Sequence, residues 1–254
     1  MKRALAVSLA AGLLAVACSS GSNTADHRIT VLAAASLATA FDTIGHEFER
    51  AHPDVTVRFL YGPSDGLAQQ IQAGDPADVF ASASETWMDA VAKNPGVVDR
   101  ADFARNRLVL VVPRPNPGHI RSIDDLTRPG VKLVLAAPGV PAGDYAREIL
   151  QNAGIARAAL RNVVSNEVDV RGVLVKVESG DADAGIVYIS DVKTAGSTAI
   201  RTFAIPRSVN VLATYAIAVV HGSSVPTDAR AFVRYVLDGG QRVLLADGFS
   251  QKPS

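Results

Sequence analysis

From Arg28 onward, short apolar runs alternate with longer segments in which apolar residues recur every three or four positions. The runs predict buried strands, and the longer period predicts helices with one face in a core. The predicted strands are Ile29–Ala34, Val55–Tyr61, Asp78–Ala81, Val131–Ala136 and Ala184–Tyr188. The predicted helices are Leu37–Ala51, Leu67–Ala73, Gly143–Ala153, Val170–Ser179 and Thr227–Leu237. Strand followed by helix, repeated, indicates an α/β fold with parallel strands and helices on the sheet faces.

Two further apolar runs, Arg107–Pro113 and Val209–Val220, separate these units into two series. We therefore expect two α/β lobes joined by two crossover strands. The strand at Val55–Tyr61 alternates apolar and polar residues, which predicts a half-exposed strand rather than a central one.

The first 18 residues have the order of an export signal. Lys2 and Arg3 precede an apolar stretch, residues 4–17, which is shorter than the ~20 residues of a membrane-spanning helix. Residues 15–18, Ala-Val-Ala-Cys, resemble a bacterial lipoprotein box, which implies a signal peptide at 1–17 and lipid attachment to Cys18. The polar residues 18–26 then form a flexible tether, and the chain is held on the outer face of the cytoplasmic membrane. An ordinary signal peptide with an incidental cysteine is the alternative.

Composition excludes several function classes. Lys and Arg total 25 and Asp and Glu total 25, without a basic run, so no nucleic acid is expected as a partner. The histidines show no metal-ligand spacing with one another or with Cys18; they are His27, His46, His52, His119 and His221.

The stretch Gly62-Pro63-Ser64-Asp65-Gly66 matches G-x-S-x-G, the turn that carries the nucleophilic serine of α/β-hydrolases. A predicted strand precedes it, a predicted helix follows, and His221 could serve as base. However, Ser64 comes early in the folded part, after a half-exposed strand and without a preceding HGGG-type segment. A serine hydrolase is therefore the alternative interpretation, and an anion receptor is favoured.

Four segments place a turn between a predicted strand and a helix N-terminus: AAAS to Ser36, YGPS to Ser64, PGVPAG to Ala142 and Gly143, and SNEVDV to Val170. Helix N-termini offer unpaired backbone N–H groups and a positive dipole end to an anion. Taken singly, each serine could instead be an ordinary helix N-cap.

Taken together, these segments resemble the molybdate-binding receptors of bacterial ABC importers. VLAAASL, GDPADVFASAS, PGVPAGDYA, VDVRGVL and AGIVYISD resemble family segments in the family's order, and the resemblance covers Ile29 to Phe249. It implies a periplasmic-binding-protein fold, with lobe I at 27–112 and 210–254, lobe II at 113–209 and the ligand cleft between them. It further implies a monomer that binds molybdate or tungstate and works with a membrane permease and its cytoplasmic ATPase. No cofactor is implied, and no metal with direct protein ligands, because the metal is bound as its oxyanion.

Carried over position by position, the resemblance implies hydroxyl donors at Ser36, Ser64 and Tyr188 and backbone N–H donors at Ala142 and Val170. Tyr188 could alternatively be a buried core tyrosine. This chain departs from the family pattern at Pro63-Ser64-Asp65, where a carboxylate adjoins a predicted donor. We expect Asp65 to turn away from the anion and to bond N–H groups of the following helix, facing solvent.

A donor-only site suits fully deprotonated dianions such as molybdate, tungstate and sulfate, and it needs no Lys or Arg. Hydrogen phosphate carries a proton that demands an acceptor, so such a site rejects it. Sulfate and phosphate receptors remain the alternatives within the same class.

Overall fold

The computed structural model describes residues 27–251. The predicted signal peptide at 1–17, Cys18 with its tether at 18–26, and residues 252–254 of predicted lobe I lie outside the described residues. The strands are β1 (Arg28–Ala34), β2 (Thr56–Gly62), β3 (Val79–Ser82), β4 (Val97–Pro113), β5 (Leu133–Ala136), β6 (Val163–Glu167), β7 (Ala184–Tyr188), β8 (Ile200–Ala204) and β9 (Leu212–Val220). The α-helices are α1 (Ala38–Ala51), α2 (Ser64–Ala73), α3 (Glu85–Lys93), α4 (Pro141–Asn152), α5 (Ala156–Ala159), α6 (Val170–Glu178), α7 (Ile189–Ala195), α8 (Pro226–Leu237) and α9 (Gln241–Ala246).

The strands are hydrogen-bonded in the order β2-β1-β3-β9-β4-β7-β5-β6, and β8 pairs with β4. Within the repeated strand–helix units the pairing is parallel: β1 pairs with β2 and β3, and β5 pairs with β6 and β7. The two long strands run against their neighbours, since β9 is antiparallel to β3 and β4 is antiparallel to β7, β8 and β9. The expectation of parallel strands in the repeated strand–helix units is therefore confirmed, and the two long strands that link the units run antiparallel to their neighbours.

Strand β4 belongs to two sets of neighbours. Residues 97–107 pair with β9, and residues 108–113 pair with β7 and β8. We call β1, β2, β3, β9 and residues 97–107 the first strand group, and β5 to β8 with residues 108–113 the second strand group. The lobe boundaries after residues 112 and 209 stay a prediction that is compatible with this pairing.

The apolar face predicted for the first helix is buried, and aromatic rings dominate its contacts. Phe41 and Phe48 of α1 pack on Phe232 of α8 at ring-centroid distances of 6.2 and 5.3 Å. Fully burying a side chain of this size stabilises the folded state by roughly 1.5 to 3 kcal/mol. Strand β2 is at the end of the strand order and partly exposed, as its alternation predicts. Across residues 27–251, no helix has the length and apolarity needed to cross a membrane.

Candidate functional site

One cavity lies where the ends of several strands from both groups meet, and it has an empty volume of about 230 Å³. Its first wall comes from the first strand group and consists of Ala34, Ala35, Ser36, Gly62, Pro63, Ser64 and Ala83. Its second wall comes from the second strand group and consists of Val140, Pro141, Ala142, Asp169, Val170 and Tyr188. All five residues predicted to hold an anion therefore line one cavity, although their binding role stays a prediction.

Ser64 is the first residue of α2 and is almost completely buried, with 1% of its surface exposed. It is not the N-cap, which is Pro63, and no side chain caps this helix. Instead, the Ala83 N–H donates to Ser64 Oγ at 3.1 Å. Because the oxygen already accepts this bond, the Ser64 hydroxyl can turn its own hydrogen toward the cavity.

Ser36 lies in a 3₁₀ turn, Ala35–Leu37, and α1 begins only at Ala38. The predicted helix start at Leu37 is therefore one residue early, and the N-cap of α1 is Leu37 and not Ser36. Ser36 Oγ lies 3.0 Å from the hydroxyl of Tyr215 on β9, and both groups are buried. Neither serine thus serves as the ordinary helix cap that was its alternative interpretation.

On the second wall, Ala142 lies in the first turn of α4, and Val170 is the first residue of α6. Backbone N–H groups in a first turn have no acceptor within the helix. The turn of α4 lies tightly against the end of β5, because a Cβ on Gly143 would collide with the carbonyl oxygens of Ala136 and Ala137. Only glycine at residue 143 allows this approach without displacing α4.

Tyr188 ends β7 and is 1% exposed, so it is a core residue as well as a wall of the cavity. Its hydroxyl is buried and has no hydrogen-bond partner among residues 27–251. Burial raises the pKa of this phenol well above its usual range, so the hydroxyl stays protonated and can donate. An unpaired buried donor costs free energy, which a ligand acceptor would recover.

The backbone of Tyr188 is held by Asp191, whose Oδ2 accepts from the Tyr188 N–H at 3.0 Å. Burial raises the pKa of Asp191 to about 7, while the Tyr188 hydrogen bond and the charge of Arg171 lower it. Asp191 thereby fixes the end of β7 that carries the phenol.

Two aspartates adjoin predicted donors in the sequence, Asp65 after Ser64 and Asp169 before Val170, and only Asp65 had a predicted orientation. Asp65 is not among the residues that line the cavity. Its Oδ1 is buried and has no hydrogen-bond partner within the described chain, so the expectation that it bonds helix N–H groups and faces solvent is wrong for this oxygen. Asp169 does line the cavity, and its Oδ1 accepts from the Gly172 N–H at 2.9 Å as the N-cap of α6. An aspartate directly before a predicted helix was the sequence signal for this cap.

The strand–turn–helix context of G-x-S-x-G is present, since β2 leads through Pro63 into α2. However, no histidine is among the residues that line the cavity with Ser64 within the described part of the chain. The same range also holds no cluster of three His, Cys, Asp or Glu residues placed to bind a metal ion.

Two hydrogen bonds join the walls. Trp87 Nε1 on α3 donates to the Gly139 carbonyl at 2.9 Å, in the turn before α4. Tyr145 on α4 donates through its hydroxyl to the Ala83 carbonyl at 3.2 Å. Each bond joins a residue that follows β3 to α4 or to the turn before it, so the structure shows the cleft with its walls in contact.

A family model described as bacterial extracellular solute-binding protein matches residues 29–250. The molybdate-binding protein ModA of Mycobacterium tuberculosis is 43% identical over 225 residues, which are 88% of this chain and 84% of that protein. This relative confirms the resemblance seen in the sequence.

Among solved structures, the periplasmic molybdate-binding protein of Azotobacter vinelandii superposes with a TM-score of 0.77 at 19% identity, over 89% of this chain and 100% of that one. The sulfate-binding protein SubI of Mycobacterium tuberculosis gives 0.76 at 19% identity, over 88% and 86%. These two likenesses confirm the expected periplasmic-binding-protein fold and do not separate one anion from another. By its sequence and its fold, the chain belongs to the family of bacterial extracellular solute-binding proteins.

Proposed function

We propose that this chain is an extracytoplasmic receptor that binds molybdate or tungstate in the cavity between its two walls and delivers it to an ABC importer. The observation that carries the proposal is that the five residues predicted to donate hydrogen bonds line one cavity: Ser36, Ser64, Ala142, Val170 and Tyr188. The 43% identical relative is a molybdate-binding protein, which favours these anions over sulfate.

Hydrogen bonds can hold a dianion here without a cation. Among the described residues, neither Lys nor Arg lines the cavity. A hydrogen bond to a charged partner contributes about 1.5 to 3 kcal/mol. The first turns of α4 and α6 add a favourable field, which is strong where water is excluded. Several such bonds together offset the loss of the anion's hydration.

The hydrogen bonds within the first wall favour a ligand that accepts only. Ser64 Oγ is already occupied by the Ala83 N–H, so its hydroxyl can serve the ligand as a donor. A ligand that carries its own proton, such as hydrogen phosphate, needs an acceptor in the cavity. Asp169 also lines the cavity, and its carboxylate is held as the N-cap of α6 by the Gly172 N–H.

Delivery requires that the cleft open and close. The lobes proposed for this movement are residues 27–112 with 210–254, and residues 113–209, joined through β4 and β9. Closure around the anion would present one shape to the permease and its ATPase.

Lipid attached to Cys18 would keep the receptor at the outer face of the cytoplasmic membrane, and replacing Cys18 with Ala would release it. In this role Ser64 is a ligand donor and not a nucleophile, so a serine-reactive phosphonate should leave it unlabelled.

Calorimetric titration of the purified chain with molybdate, tungstate, sulfate and phosphate tests the proposal. We expect tight one-to-one binding of molybdate and tungstate and weak or no binding of the other two anions. Tight binding of sulfate or phosphate, with molybdate weaker, would contradict the assignment.

A further inference from the structure

Two aromatic side chains bridge the cleft on one side of the cavity. Trp87, on the helix that follows β3, donates through Nε1 to the Gly139 carbonyl at 2.9 Å. Tyr145, on α4, donates through its hydroxyl to the Ala83 carbonyl at 3.2 Å. Burial raises the pKa of the Tyr145 phenol to about 12, so the group holds its proton near neutral pH. Because a carbonyl oxygen can only accept, each bond has one possible donor.

Both bonds end on turns that adjoin predicted anion donors. Ala83 lines the cavity, and its N–H donates to Ser64 Oγ at 3.1 Å. Gly139 lies in the turn that leads through Val140 and Pro141 to Ala142. The distance between these two turns therefore helps to set the distance between Ser64 on the first wall and Ala142 on the second.

The indole limits how closely the two turns can approach each other. Distances from nitrogen to oxygen in N–H···O bonds rarely fall below about 2.7 Å. The bond from Trp87 to Gly139, at 2.9 Å, is already close to this limit. Trp87 is partly buried and packs against the core that α2 and α3 cover, so its ring cannot swing aside without losing these contacts. The walls are therefore near their closest approach at this point.

We propose that Trp87 and Tyr145 are specificity residues that fix the width of the closed cleft and so favour molybdate over the smaller sulfate. This inference rests on the proposed function, because it assigns how that same cavity separates two anions of one shape and charge. Sulfate reaches the donors of both walls only if the walls come closer, and hydrogen bonds that stay long are weak. Neither anion carries a proton near neutral pH, so the carboxylate of Asp169 acts on both alike and does not separate them.

The first test replaces Trp87 with Phe, which keeps a ring on α3 but shortens it and removes the N–H. Gln72→Met is the matched control, because Gln72 Nε2 on α2 donates to the Ala90 carbonyl of the same helix without crossing the cleft. The parent and both variants are titrated with molybdate by calorimetry, alone and in the presence of excess sulfate, at one near-neutral pH. Both anions are then dianions, so the ratio of their affinities reports size and not charge.

For Trp87→Phe we expect the preference for molybdate over sulfate to narrow by at least about 10-fold, because the walls can close further around the smaller anion. The parent and Gln72→Met should keep the full preference. An unchanged preference, including equal weakening of both anions, overturns the inference, since the bond would then only hold the cleft closed. A parent that binds no molybdate, or that binds sulfate more tightly, would instead refute the proposed function.

A second variant approaches the same inference from the other wall. Tyr145→Phe removes only the hydroxyl that contacts Ala83, so it decides the question by itself if Trp87→Phe does not fold. Tyr235→Phe is its matched control, since that hydroxyl bonds Glu47 away from the cavity. We expect the preference for molybdate over sulfate to narrow by about 3-fold in Tyr145→Phe and to stay unchanged in Tyr235→Phe. The parent's preference in both Trp87→Phe and Tyr145→Phe would mean that neither ring sets the width of the cleft.

Discussion

The two walls of the cavity differ in the kind of donor that we propose each offers to an anion. The first wall has side-chain hydroxyls at Ser36 and Ser64; the Ala83 N–H donates to Ser64 Oγ, and Ser36 Oγ shares a hydrogen bond with the Tyr215 hydroxyl. The second wall contributes the first turns of α4 and α6, whose donors are backbone groups, and the unpaired hydroxyl of Tyr188. Side-chain donors can be removed one at a time, whereas backbone donors change only when the helix itself moves. The first wall is therefore adjustable by single substitutions, and the second depends on packing.

The largest effect is expected from moving the second wall. A Cβ at residue 143 would collide with the carbonyl oxygens of Ala136 and Ala137, so Gly143→Ala must displace the start of α4 and the Ala142 N–H. We expect molybdate affinity to fall by more than about 100-fold. Gly66→Ala is the matched control in α2, the helix that begins at the first wall, because its Cβ would meet only Pro63 Cγ at 3.4 Å. Calorimetry that finds equal affinities in the two variants would refute this difference between the walls.

The next largest effect concerns the unpaired hydroxyl. Tyr188→Phe should weaken molybdate binding about 10-fold to 100-fold, as expected for one charge-assisted hydrogen bond. Since this hydroxyl has no partner among the described residues, its loss should not lower the melting temperature of the ligand-free protein. A large loss of stability together with unchanged affinity would show that Tyr188 is only a core tyrosine.

The serines should lose binding and stability together. Ser64→Ala removes one donor and leaves the buried Ala83 N–H without its acceptor. We expect about 10-fold weaker molybdate binding and an unfolding free energy lower by about 1 to 3 kcal/mol. Ser36→Ala should behave similarly, because it leaves the Tyr215 hydroxyl unpaired. Calorimetry and urea unfolding of both variants measure the two quantities, and a stability loss without a binding loss contradicts the donor role.

A smaller effect on binding, with a distinct pH signature in stability, is expected at Asp191. Its folded-state pKa of about 7 is above the value of about 4 in an unfolded chain. Between these values the folded protein holds the proton that the unfolded chain has lost, so Asp191 makes stability fall as pH rises from about 4 to about 7. Asp191→Asn should flatten this slope, since an amide oxygen can still accept the Tyr188 N–H. Urea unfolding at several pH values measures how the free energy of unfolding changes with pH. The same slope in Asp191→Asn and the parent would contradict the raised pKa.

The smallest effect on molybdate affinity is expected from substituting Asp65, which follows the first-wall residue Ser64 in the sequence. Its carboxylate does not line the cavity, so Asp65→Asn should leave molybdate affinity within a few-fold of the parent. A carboxylate facing a dianion at about 4 Å would repel it by roughly 8 kcal/mol at an effective dielectric of about 20, since the energy for two unit charges is about 4 kcal/mol. Phosphate binding by the parent that disappears in this variant would show that Asp65 faces the ligand after all.

Elements with a strong local sequence pattern could be predicted, and features without one could not. The helix of Phe41 and Phe48 and the buried strand Ala184–Tyr188 have strong local patterns, and the structure has both. The first half of β4, by contrast, has the mixed sequence VVDRADFARN, and α3, α7, α9, β6 and β8 are short or half-exposed, so their periodicity was too weak to read.

At the site, Ser36 and Tyr188 came from family resemblance, because a serine or tyrosine at a strand end is ambiguous by itself. The contact between Ser36 and Tyr215 joins residues 179 positions apart, and no local pattern predicts such a pair.

The indole that joins α3 to the turn at Gly139 belongs to the sole tryptophan of the chain. Its emission therefore arises from one place, at the seam between the walls. If the cleft opens, the Trp87 indole loses its hydrogen bond to the Gly139 carbonyl and becomes exposed to water, so its fluorescence emission maximum should shift. Intrinsic tryptophan fluorescence should therefore report whether the cleft is open or closed, and anion binding can be followed in real time without an added dye or tag.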